Sequence, residues 1–126
     1  MRLPLVLALL LIAFLVLGVF AERRMKETAR GLGTVLREVE EAIARGDKEK
    51  ALSTLRRFES RWAKAEKTWA LVTDHHEMDQ VHLAIDRADE YLSAGSLPEA
   101  AAEIASLSFL IEHIPRKETL GLRSVF

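Results

Sequence analysis

From residue 3 to residue 20 the chain reads LPLVLALLLIAFLVLGVF, eighteen residues without a charge. A helical rise of ~1.5 Å per residue carries such a run over about 27 Å, enough to span the hydrocarbon core of a bilayer. Whatever follows is therefore either held at a membrane surface or released by cleavage. Val19-Phe20-Ala21 offers a cleavage site, but the apolar run has the length of a retained anchor rather than of a removed signal. Residues 1–21 are read as the transmembrane anchor or signal segment, and residues 22–126 as one helical domain with a C-terminal tail.

Charge counts leave two orientations to weigh. Arg2 stands on one side of the run and Arg23, Arg24 and Lys26 on the other, offset by Glu22 and Glu27. Taken alone, this favours a cytoplasmic domain. The segment nevertheless opens the chain as an export signal does, and long following domains translocate largely regardless of charge. The expectation is a single-pass membrane protein with its C-terminal domain outside the cytoplasm.

Beyond the anchor the periodicity is helical throughout. Met25, Ala29, Leu32, Leu36, Val39 and Ile43 recur every three or four residues and line one helix face. Gly31 and Gly33 weaken this first helix by roughly 1 kcal/mol each relative to alanine, which predicts a bend or frayed segment between anchor and domain. Gly46 predicts a left-handed cap and Asp47 a new N-cap. A long second helix then carries Leu52, Leu55, Phe58, Trp62, Ala65, Trp69 and Val72 on one stripe, with both tryptophans expected in the core.

The corner follows at Val72-Thr73-Asp74, where Asp74 and Glu77 have capping-box spacing. Met78, Val81, Ile85, Ala88 and Leu92 make the third apolar face and Gly95 closes it. Ser96, Pro98 and Glu99 repeat the start signal, and Ala100, Ile104, Leu107, Ile111 and Ile114 make the fourth face, ending near Pro115. The tail, residues 116–126, is apolar enough at Leu120, Leu122, Val125 and Phe126 to return over the domain as an extended strap. The expected fold is all-α, an N-terminal transmembrane helix followed by an antiparallel four-helix bundle of two helical hairpins. GDKEKALSTL from Gly46 and GSLPEAAAEI from Gly95 match as glycine, cap, acidic first turn and aliphatic face, which also suits a concave tetratricopeptide-like stack.

Composition excludes several classes of function. Eighteen basic residues balance nineteen acidic ones, so no field exists to gather nucleic acid. The absence of cysteine removes disulfides, thiol catalysis and thiolate metal sites. Neither a phosphate-binding loop nor a nucleophile elbow is present, so no cofactor is expected.

The unusual residues concentrate in residues 62–79. His75, Asp79, His82 and Asp86 share one stripe of the third helix, and His75, Asp79 and His82 are the candidate metal ligands, because groups one turn apart can reach a common ion. The HExxH pattern is missing, since His76-Glu77 is followed by Met78-Asp79-Gln80. The alternative is a polar flank whose acids favour the helix dipole. His113, near the expected end of the fourth helix, would be favoured there as a cation.

The N-terminal apolar segment, Trp62 and Trp69 on one long helix, the corner Asp74-His75-His76-Glu77-Met78-Asp79, and Tyr91-Leu92 before Gly95 together resemble a bacterial family catalogued as domain of unknown function 4363. The most specific part is the run matched by Trp62, Trp69, Asp74, His75, Glu77, Met78 and Asp79. Ser124-Val125-Phe126 departs from the Asn-Ile-Phe close usual in that family. The resemblance implies a small membrane-anchored protein with no assigned activity.

Since every strong signal is insertion, packing or capping, the leading expectation is a non-enzymatic interaction or structural module of the cell envelope. Its partners would be the membrane, through the N-terminal helix, and another protein or a second copy of itself. Two alternatives are a metal- or pH-responsive sensor using the His75, Asp79 and His82 stripe, and a tetratricopeptide-like peptide binder.

Overall fold

The computed structural model describes the backbone of residues 2–125 and the side chains of residues 2–115. Four helices account for it: α1 (Leu3–Ala44), α2 (Lys48–Trp69), α3 (His75–Ser93) and α4 (Leu97–Val125), with no strand among the described residues. The fold is the all-α bundle with a long apolar N-terminal helix that the periodicity demands.

Anchor and first bundle helix are one element. α1 runs 42 residues without interruption, so no frayed segment forms at Gly31 and Gly33. The propensity cost of two glycines is small beside the burial of the residues interleaved with them. Leu32, Val35, Leu36 and Val39 are buried, and each such side chain contributes roughly 1.5–3 kcal/mol. No residue of the apolar run is buried within the structure, and α1 is the one described helix long and apolar enough to cross a membrane.

The two glycine turns are built alike. Gly46 and Gly95 take φ of 73° and 76°, the left-handed conformation that glycine adopts without cost. Asp47 N–H donates to the Ala42 carbonyl and Gly46 N–H to that of Ile43; Ser96 donates to Tyr91 and Gly95 to Leu92 in the same register. Each set is a Schellman motif, which satisfies carbonyls that the helix end would leave open. Asp47 then caps α2 by accepting from Lys50 N–H at 3.1 Å.

The core joins all four helices. Phe58, Leu55, Leu92, Ile104, Leu107 and Ile111 are fully enclosed. α1 packs against α2 and α4, and α3 against α4 and, most thinly, α2. The circuit thus closes on itself, so the concave stack of a tetratricopeptide-like module is not formed. Thr54 is the one buried polar side chain in the core among the described residues, satisfied by donating to the Lys50 carbonyl at 2.7 Å.

Two expectations fail at the C-terminal end. α4 does not stop at Pro115 but continues to Val125, so residues 116–125 are helical rather than an extended strap; Phe126 lies outside the described residues. Pro115 forbids the bond to the Ile111 carbonyl. Pro115 is itself buried against α1, in a groove shared with Lys26, Ala29 and Gly33, so packing offsets the missing rung.

Candidate functional site

The α2–α3 corner gathers the sequence's rarest residues. α2 ends at Trp69, and with no glycine to turn the chain, Leu71 and Val72 N–H bond back to the Thr68 and Trp69 carbonyls. This tight turn leaves Leu71 83% and Val72 52% exposed. Val72 was expected in the core; the helix ends three residues before it, so it leaves the apolar stripe. Asp74 starts α3 by accepting from His76 N–H at 3.3 Å.

Beneath the corner lie both tryptophans, edge to face with centroids 5.6 Å apart and planes at 88°. Trp62 also meets the His82 ring at 6.5 Å. His82 Nε2 reaches across to Glu66 Oε1 on α2 at 2.5 Å, and His76 Nε2 lies 3.3 Å from Gln80 Nε2. Trp62 Nε1 and Thr73 Oγ1 are buried without a hydrogen-bond partner among the described residues.

The three candidate ligands are engaged differently. His82 pairs with α2, while His75 and Asp79 stay exposed on α3. Among the described residues no group of three or more His, Cys, Asp or Glu side chains converges on a point a metal could occupy. The expected His75, Asp79 and His82 set is therefore not assembled. His82 sits on the flank nearest α2, and a partner across the hairpin outcompetes one along its own helix.

Farther along the same helix pair, Glu59 on α2 faces Asp86 and Asp89 on α3. Partial burial, then these two carboxylates, push its carboxyl above the ordinary value, with Arg56 opposing. The folded state binds this proton more tightly than the unfolded chain does, so ionised Glu59 costs stability, and the cost fades as pH falls through its raised pKa. Glu59→Gln is expected to raise the unfolding midpoint at pH 7. The gain is no more than about 0.5 kcal/mol because the group is only half-buried and solvent screens it, and it should vanish by pH 4. A thermal scan at both pH values checks this, and a gain that persists at acid pH would contradict it.

His113 is not at a helix end, because α4 continues past it; it stacks on Phe109 with centroids 3.8 Å apart and planes at 21°. Phe109 is 59% and Leu83 49% exposed. They share a shallow groove between α3 and α4 with Leu110, Arg87 and Glu103. Sequence reasoning missed this surface, although an aromatic at position 109 lies off the stripe of Ile104, Leu107 and Ile111 and was visible as such.

The family described as Domain of unknown function (DUF4363) matches residues 19–125, from the end of the apolar run through α4. The chain belongs to this family. The DUF4363 match spans the whole bundle and includes the tryptophan pair and the Asp74 to Asp79 corner that carried the resemblance. No curated protein and no solved structure matches the chain.

Proposed function

We propose that this DUF4363 protein is a non-enzymatic, single-pass envelope protein whose bundle is a docking module standing outside the cytoplasm. The observation that carries the reading is the continuity of α1, which joins the apolar run and the bundle core in one helix and so holds the bundle at a fixed height above the bilayer. The corner residues most suggestive of chemistry are used for capping, for the His82 and Glu66 pair and for packing. The exposed Leu83 and Phe109 surface is the face offered to a protein partner or a second copy.

The chain has no cysteine, so single cysteines report without background. Ser53→Cys in the full chain is expected to react with a membrane-impermeant maleimide in intact spheroplasts; protection until lysis would place the bundle in the cytoplasm. A photo-crosslinking residue at position 109 is expected to give one discrete adduct in cells, absent when it is placed at exposed Arg45. Equal, diffuse crosslinking from both positions would remove the docking face.

A further inference from the structure

A groove of roughly 630 Å³ lies where α1 leaves the apolar run, between that point and the C-terminal end of α2. Phe20 and Arg24 form one wall, Arg61 and Lys64 the other, and the exposed Leu71 and Val72 the rim. Among the described residues three cations line it and no carboxylate does. Among the described residues none of the three has an ion-pair partner: Lys26 takes Glu22, and Glu66 is held by His82. The Arg24 guanidinium lies 5.7 Å above the Phe20 ring, directed by the last aromatic of the anchor.

Position selects the occupant. Because α2 runs back along α1, its end and the Leu71-Val72 turn return to the level of Phe20, which is the last residue of the apolar run and hence the bilayer boundary. Two aliphatic side chains exposed to water at that height are costly, and the same side chains in the interface are favourable. Cations without an ion-pair partner among the described residues meet, at that height, the lipid phosphates of the headgroup layer, to which Arg and Lys make charge-assisted hydrogen bonds. We propose that the groove binds the phosphate headgroup of an anionic phospholipid between Arg24, Arg61 and Lys64, with Leu71 and Val72 seated in the interface beside it. The proposal rests on the anchoring of α1 in the same bilayer.

The test uses the full chain in nanodiscs of phosphatidylcholine with or without phosphatidylglycerol, with a nitroxide at Leu71→Cys and, separately, at Leu10→Cys. With phosphatidylglycerol present, access of a water-soluble relaxation agent to the Leu71 label is expected to fall severalfold. The protection should be lost in Arg61→Gln/Lys64→Gln and kept in Arg45→Gln/Lys48→Gln, whose changes lie at the far end of the bundle. Equal access in both lipids, or the same loss in the far-end variant, would overturn the proposal. So would inorganic phosphate reproducing the protection in phosphatidylcholine alone. A Leu10 label open to the aqueous agent would instead overturn the anchoring, a failure distinguishable from the first.

Discussion

Trp62→Ala lowers the unfolding midpoint of the bundle, measured on the full chain in neutral detergent, by on the order of 20 °C. Truncating a buried tryptophan costs about 3–5 kcal/mol, and a domain of this size loses about 4–8 °C per kcal/mol. Trp62 is 2% exposed and lies between Trp69 and His82, so its removal opens the core beneath the corner and ends the edge-to-face pair. Trp62→Phe separates packing from polarity. Because Nε1 is buried without a partner among the described residues, phenylalanine fills most of the volume while deleting a donor that makes no hydrogen bond there. Its midpoint should stay within a few degrees of wild type. A phenylalanine variant as unstable as the alanine variant would show that the indole N–H has a partner in solution, and that the corner is a polar site rather than a packed one.

α3 and α4 were legible because each buries the stripe that its periodicity marks, and α2 was legible from Leu55 to Trp69. Met78, Val81, Ile85, Ala88 and Leu92, and Ala100, Ile104, Leu107, Ile111 and Ile114, are all buried as the periodicity requires. Gly46 and Gly95 announced their turns because a positive φ falls naturally to glycine. What escaped was decided by packing between elements. Two glycines lower local helix propensity, yet α1 continues through them, since Leu32, Val35 and Leu36 gain more from burial than the backbone loses, and α4 continues past Pro115, which is itself buried. Val35 went unnoticed beside Leu36 because a helix facing both α2 and α4 buries a stripe wider than one heptad seam.

The candidate site was legible as a concentration of residues and illegible as an arrangement. Spacing along α3 placed His75, Asp79 and His82 on one stripe, but it carries no information about what α2 presents opposite them. Glu66 and His82 are sixteen residues apart, a separation meaningful only once the corner is fixed after Trp69. The same dependence hid the basic groove. Arg24 and the pair Arg61 and Lys64 become neighbours only when α2 folds back along α1.

Gly31→Pro is expected to uncouple the bundle from its anchor. Proline at position 31 removes the bond from residue 31 to the Glu27 carbonyl and drives its ring against that group, costing about 3 kcal/mol or more inside a helix. The break would fall just before Leu32, above the groove formed by Arg24 and below most of the α1 core. Spin labels at Leu10→Cys and Ser53→Cys should then report a broad distance distribution where the otherwise wild-type chain gives a narrow one, and the unfolding midpoint should drop by more than 10 °C, on the order expected for such a loss. Gly31→Ala acts in the opposite sense. A Cβ at this position meets nothing within 4 Å, so the substitution gains about 1 kcal/mol of helix propensity without strain. A distribution already broad in the otherwise wild-type chain, and left unchanged by the proline, would mean that the two segments are independent, and the fixed height from which both the docking module and the lipid groove are argued would be lost with it.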